Sequence, residues 1–318
     1  MNVSVIVPTR DRPALLARCL QQLLRQHHAG LEVVVVDDGS GELARQQVRQ
    51  LVAASGARVR LVELGAAGGG GHGPGHARNV GIAAAAGDLI GFCDDDDEWS
   101  DPEHLSRAVA CLAAAPDVGL YVGNQIGGRD GVVVIDNWLS GLPRASADSP
   151  VMLPAAALCQ AHTFPHLNTV LARRSALPQP GPFWTAVRYE EDRDFFWRLL
   201  DRCERVAVCF KPVAVHHVPD PALQHNASTQ HGRRDRLLIS AMVARHIALA
   251  VRQPALVRLV RHAEGDVSRQ LAEMARDEGR RSVARSLAWT ALAQRFSWKW
   301  LALCCWLSLP AWRPEGSP

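Results

Sequence analysis

The chain opens with short apolar blocks separated by polar breaks and by stretches of helical period. Val3–Val7 is a β-branched run ending at Pro8, which predicts a buried strand. Pro13 then opens a stretch in which Leu15, Leu16, Cys19, Leu20, Leu23 and Leu24 recur on one face of a helix, and Gly30 stops it. Leu31–Val36 predicts a second buried strand, residues 42–54 a helix, and Val59–Leu64 a third strand. After the glycine-rich stretch 65–75 come a helix through Ala77–Ala86, a fourth strand at Leu89–Cys93 and a further helix from Pro102.

Strands alternating with helices predict an α/β fold, a parallel sheet with helices on both faces. Such sheets bind ligands outside the carboxyl ends of their strands. Three of the predicted strand ends are polar: Pro8-Thr9-Arg10, Asp37-Asp38 and Asp94–Asp97. One acidic loop has an ordinary explanation, whereas three polar strand ends on one rim describe a site. The second half is less regular. Val118–Gly123 and Val132–Ile135 predict strands that could pair, and residues 141–167 are loop-rich. Glu191–Leu200 predicts a helix, Val206–Phe210 a strand, and the chain from Gly232 onward is helical in pattern. The expected division is a catalytic domain over residues 1–230 and a helical extension over 231–318.

Composition narrows the partners. Of 318 residues 47% are hydrophobic and 21% charged, which is globular and not disordered. A net charge of only +3 gives no reason to expect a nucleic acid. The 8 cysteines are scattered, without CxxC or metal-ligand spacing, and suit a reducing compartment. The stretch MNVSVIVPTRDRP has no basic start followed by a long apolar core, so a cytoplasmic location is expected. The stretch SWKWLALCCWLSLPAW (297–312) has one charge, Lys299. Its apolar part is too short for the ~20 residues that cross a bilayer. Two readings stand: an interfacial helix with Trp298, Trp300, Trp306 and Trp312 near lipid headgroups, or a helix packed on the catalytic domain or on a dimer partner.

Each polar cluster has a bland and a chemical reading. Asp37 and Asp38 can cap a helix or accept hydrogen bonds from a base or a ribose. The loop GAAGGGGHGPG fits no strict phosphate fingerprint, yet Arg78 and Asn79 follow at a helix start, where an arginine and free amides suit a pyrophosphate. Four consecutive aspartates, Asp94–Asp97, are either a solvated loop or a site for magnesium or manganese shared with phosphate oxygens. Glu190, Glu191, Asp192 and Asp194 are either helix-end charges favoured by the dipole or a source of a general base. His216-His217, with His225, Asn226 and Ser228, could complete a metal shell or lie at the surface.

Together these segments resemble the family 2 glycosyltransferases, inverting enzymes of the A-type nucleotide-sugar-binding (GT-A) fold. The resemblance rests on VSVIVPTRDRPALLARCL, EVVVVDDGS, GHARNVGIAAAAGDLIGFCDDDDEW and YEEDRDFFWRL, in that order, over roughly residues 3–230. It implies a mixed, mostly parallel sheet flanked by helices. It also implies a nucleotide-sugar donor, here a UDP-sugar, a glycan or lipid-linked acceptor, and Mn2+ or Mg2+. By position, Pro8, Thr9 and Arg10 match the strand end lining the nucleotide, and Asp38 matches the aspartate that binds uracil. Arg78 matches a basic residue near base and diphosphate. Asp94 and Asp95 fall toward ribose and sugar, Asp96 on the metal, and Asp192 at the catalytic base. His216 or His217 matches a histidine that supports the metal or diphosphate. The glycine-rich loop departs from the family pattern, and one extra residue before Pro102 leaves Asp97 as a second candidate ligand. Two other functions compete with transfer: a sugar-nucleotide pyrophosphorylase, which would need glycines and an arginine directly after the first strand, and a non-catalytic binding module.

Overall fold

The structure, a computed structural model, describes residues 1–65, 70–129, 131–142, 149–161, 164–218 and 231–309. It divides into two compact units, Met1–Gln230 and His231–Pro318. His225, Asn226, Ser228 and Trp312, all singled out in the sequence, lie outside the described residues, as does the segment 66–69 of the glycine-rich stretch.

In the first unit, the predicted alternation forms β1 (Val3–Thr9), α1 (Pro13–Leu24), β2 (Leu31–Asp37), α2 (Glu42–Ala54), β3 (Val59–Glu63), α3 (Pro74–Ala84) and β4 (Leu89–Phe92). These are followed by β5 (Glu98–Trp99), α4 (His104–Ala114), β6 (Leu120–Arg129) and β7 (Val132–Ile135). Then come β8 (Val151–Pro154), β9 (Val170–Arg173), α5 (Glu191–Leu200) and β10 (Arg205–His217). The strands order as β3-β2-β1-β4-β9-β6-β10-β5, with β7 on β6 and β8 on β10. The block β3-β2-β1-β4 is parallel. The inner strands β1 and β2 are β-branched and buried along almost their whole length, as strands covered on both faces require. Helix α1 seals one face by burying Leu16, Cys19, Leu20 and Leu23. Each such burial contributes about 1.5–3 kcal/mol, so a Leu16→Ala cavity would cost several times the typical surface substitution.

Three features go beyond the sequence reading. Strand β9 lies antiparallel between β4 and β6. The predicted strand Val206–Phe210 extends to His217, with register shifts around Pro212. Its far end pairs antiparallel with β5, Ala214 opposite Trp99 and Val215 opposite Glu98. That pairing fixes the chain just after the acidic run against the chain just before His216.

The second unit contains α6 (Arg233–Ala250), α7 (Pro254–Asp277), α8 (Arg281–Gln294) and α9 (Trp298–Ser308). Small residues, Ala272 and Ala275 of α7 with Ala284 and Ala288 of α8, pack with Leu292, Trp300, Cys304 and Leu307. No helix among the described residues is long and apolar enough to cross a membrane.

Candidate active site

Strand β4 delivers the acidic run at the carboxyl edge of the parallel block. The run folds back at once, with the amide of Asp97 donating to the carbonyl of Asp94 (3.1 Å). A tight turn between two fixed strands gives the four carboxylates different partners. Asp94 accepts from the Arg78 guanidinium at 2.6 Å. Asp95 accepts from the Thr9 hydroxyl at 2.7 Å, so the end of β1 holds the middle of the run. Arg12 reaches both Asp95 (3.4 Å) and Asp96 (3.1 Å). Asp97 lies 3.0 Å from Nδ1 of His216 through each oxygen and accepts from the His217 amide at 3.0 Å.

The run carries more negative charge than these partners neutralise. Burial and the adjacent Asp96 push the Asp95 carboxyl up to about 7, despite Thr9 and Arg12. Burial, with Asp97 and Asp94 close by, pushes Asp96 up to about 6. Burial also works against ionised Asp94, but Arg78 and the nearby His166 and His216 hold it below its ordinary value.

Asp97, His166 and His216 form a cluster whose ligand atoms all lie within 4.8 Å of one another. His166 Nδ1 is 3.7 Å from Asp97, whose side chain is 1% exposed. One carboxylate and two imidazoles suit a divalent ion, and the two nitrogens weight the set toward a transition metal over magnesium. The shortage of positive charge at Asp95 and Asp96 fits the same ion. Burial lowers the basicity of both rings; Asp97 more than restores it for His216, while the neighbouring His216 keeps His166 low. Trp138 packs edge-on against His216, ring centroids 5.3 Å apart, and its indole N–H donates to the Phe164 carbonyl (2.7 Å).

Arg78 is the hinge of the site. Its guanidinium donates to Asp94 on one side and to Glu191, at 2.8 Å, on the other. The arginine is buried, stacks over Phe183, and has its own basicity raised by the carboxylates around it in spite of burial. One side chain from α3 therefore ties the acidic run to the first turn of α5. Burial raises the Glu191 carboxyl to about 7; Arg78 opposes this and Asp192 adds to it. Asp194 is fully buried and takes two hydrogen bonds from Arg198, at 2.6 and 2.9 Å. Asp192, half-buried between them, accepts from the Arg193 amide (2.8 Å).

The other strand ends organise the glycine-rich loop. Both oxygens of Asp38 accept loop amides, from His72 and Gly73, each at 2.8 Å. Gly71 and Gly73 have positive φ of 64° and 98°, and a Cβ on Gly71 would strike Asp38 at 2.6 Å. Arg188 clasps the same loop through the Gly70 and Gly71 carbonyls. Asp37 caps the following turn by accepting from the Ser40 amide (2.8 Å); its second oxygen is buried and has no partner among the described residues. Pro8 lies opposite Val36 one residue before the end of β1, and Arg10 pairs with Asp11 at 3.5 Å.

Residues 4–141 match glycosyl transferase family 2. This part of the chain is similar to family 2 glycosyltransferase domains. An uncharacterized glycosyltransferase of Nostoc sp. is 31% identical over 185 residues, 57% of this chain and 54% of the relative. The succinoglycan biosynthesis protein ExoO of Rhizobium meliloti is 28% identical over 248 residues, 76% of this chain and 66% of ExoO. The chain thus spans only about half to two thirds of the length of these relatives. Among solved structures, S. aureus TarS 1-349 in complex with UDP-GlcNAc aligns with a TM-score of 0.62 at 19% identity, covering 95% of this chain and 84% of TarS 1-349. The mannosyltransferase PcManGT from Pyrobaculum calidifontis, in complex with GDP-Man and Mn2+, aligns with a TM-score of 0.56 at 21% identity, covering 96% and 78%. At these identities the likeness shows the fold, the A-type nucleotide-sugar fold.

Of the residues singled out in the sequence, Thr9, Arg78, Asp94, Asp95 and Asp96 converge with Glu191 through the contacts above. Asp38 faces the loop, and Asp96 lies outside the Asp97–His166–His216 cluster. The glycosyltransferase motifs gave no pointer to His166 or Trp138, which lie outside them. Arg12 lies inside the first motif, three residues after Thr9 and beside Pro13, but the sequence reading assigned it no role.

Proposed function

We propose that the chain is an inverting glycosyltransferase that moves a sugar from a nucleotide-sugar donor, in first place a UDP-sugar, to a hydroxyl of a glycan or lipid-linked acceptor. The observation that supports this most is the Arg78 bridge, because it holds the acidic run and the Glu191-Asp192 helix start on one guanidinium. A donor and an acceptor seated between them would meet a general base on one side and a charge-stabilising group on the other. Residues 1–230 are the catalytic domain in this reading.

Pro8, Thr9, Arg10 and Asp38 shape the nucleotide end, with Asp94 and Asp95 toward ribose and sugar. Arg78 fixes Asp94 and Glu191 so that neither drifts into the reacting volume. Asp192 takes the proton of the acceptor hydroxyl as that oxygen attacks the anomeric carbon from the face opposite the leaving diphosphate. Glu191 and Asp194 are engaged by Arg78 and Arg198, which leaves Asp192 as the acid of this turn that is neither deeply buried nor paired with an arginine in those bridges. Asp97, His166 and His216, with Asp96 beside them, would hold Mn2+ or Mg2+. When bound, such an ion supplies neutralisation of the charge that grows on the departing diphosphate. The protein would act in the cytoplasm, with peripheral contact to the inner face of the membrane where a lipid-linked acceptor resides. The name of ExoO and the sugar nucleotides bound to TarS and PcManGT support the substrate class.

A panel of UDP-, GDP- and dTDP-sugars, assayed for nucleotide release with Mn2+ and with chelator, tests the reading. One donor should turn over in the presence of metal, and an α-linked donor should give a β-linked product by proton NMR. Retained configuration, or turnover in pyrophosphate exchange instead, would defeat it.

A further inference from the structure

The two units carry opposite charge. Residues 1–230 hold 20 Lys+Arg against 25 Asp+Glu, net −5, whereas residues 231–318 hold 15 against 7, net +8. The basic unit also exposes large apolar residues that a solvated surface has no use for. Phe296 is 58% exposed, Trp298 77%, Trp306 51% and Leu309 60%. Trp298, Ala302 and Cys305 or Trp306 recur at helical spacing, so they form one outward stripe of α9, and Leu309 follows at its C-terminal end. The opposite stripe, Trp300, Cys304 and Leu307, is buried in the unit's own core.

This stripe is tied to a basic edge. Trp289 of α8, itself exposed, donates its indole N–H to the Ser308 hydroxyl at 3.4 Å. Arg285 lies one helical turn before Trp289 and is exposed. Arg281, a further turn back, stacks its guanidinium over Trp306 at 5.0 Å and donates to the Trp306 and Leu309 carbonyls. Lys299 is exposed beside Trp298. Indole rings with cations at their margins match the interface of an anionic bilayer, where the rings sit at headgroup depth and the cations meet lipid phosphates. At 11 residues α9 is far too short to span, so it would lie in the plane of the surface.

We propose, resting on the lipid-linked acceptor reading, that the outward face of α9 with the Arg281–Arg285–Trp289 edge of α8 is the surface by which this chain docks on an anionic lipid bilayer. Binding is measured without donor or acceptor, so its failure is distinct from failure of glycosyl transfer. The full chain is floated with vesicles of phosphatidylcholine containing about one third phosphatidylglycerol, and with phosphatidylcholine alone. The expected result is flotation with the anionic vesicles, weaker by at least about tenfold without the anionic lipid. Trp298→Ser with Trp306→Ser should weaken binding by at least about tenfold. Arg285→Glu with Lys299→Glu, two exposed positions, should weaken it by a similar factor while circular dichroism and donor hydrolysis stay unchanged. No flotation of the native chain would overturn the proposal, as would flotation unaffected by the charge-reversed variant. A native dimer that the Trp298→Ser, Trp306→Ser variant splits in sedimentation, without vesicle binding, would assign the face to a second copy and overturn it as well.

Discussion

The acidic run at the end of β4 and the first turn of α5 are built from the same residue types, but their charges are balanced differently. In α5, two arginines cover two buried carboxylates: Arg78 takes Glu191 and Arg198 takes Asp194. The remaining acid, Asp192, stays half-buried in the first turn of the helix. In the run, Arg12 and Arg78 face four aspartates, and Asp95 and Asp96 rise above the usual carboxylate range. Asp97 relies on two histidines instead. A balanced cluster leaves one carboxylate outside its arginine bridges, which suits the base proposed above; a cluster short of positive charge has room for a cation. Arg78 belongs to both, so it is where the comparison is most easily broken.

Replacing Arg78 by Met should have the largest effect. It leaves the buried Glu191 and the half-buried Asp94 without their cation, and loss of one partner from a buried pair costs about 3–5 kcal/mol. Urea unfolding would read the stability, and donor titration should show lost affinity as well. Arg198→Met sharpens the comparison: Asp194 is stranded in the same way, at about 3 kcal/mol, but donor affinity at a permissive temperature should be unchanged. Equal loss of donor affinity in both variants would erase the distinction. Next, Asp97→Asn or His216→Ala should weaken Mn2+ binding by about 10–100-fold, read from the free-ion signal in electron paramagnetic resonance. Arg12→Met should leave that affinity intact or raise it. The smallest change is Thr9→Val, which removes one hydrogen bond to Asp95 and should cost about 1 kcal/mol.

Strand ends were legible because their signal is local. A β-branched run closed by a polar pair at Thr9, Asp37-Asp38 or Asp94 marks both the strand and its carboxyl edge. Strand β9 carries no such mark: Val170–Arg173 is four residues long, follows a proline-rich stretch, and pairs with strands distant in sequence. His166 enters the site just before it and shares its silence. The choice between His216 and His217 was open for a different reason. Successive residues of a strand face opposite ways, so register decides which ring meets Asp97. In β10 the register shifts around Pro212 and is then pinned by β5, and neither event has a local signature. The engagement of Asp38 with the loop amides was hidden likewise, although the glycines at 71 and 73 announced a backbone that some acceptor would have to hold.

The central claim is that Asp192 faces the acidic run across one cleft and acts on a donor seated there. Calorimetric titration of the donor into Asp192→Asn, paired with its transfer rate, tests this most directly. The account predicts donor binding within about twofold of the native chain and turnover reduced by at least about a hundredfold. Near-native turnover in that variant, or loss of donor binding together with turnover, would contradict it.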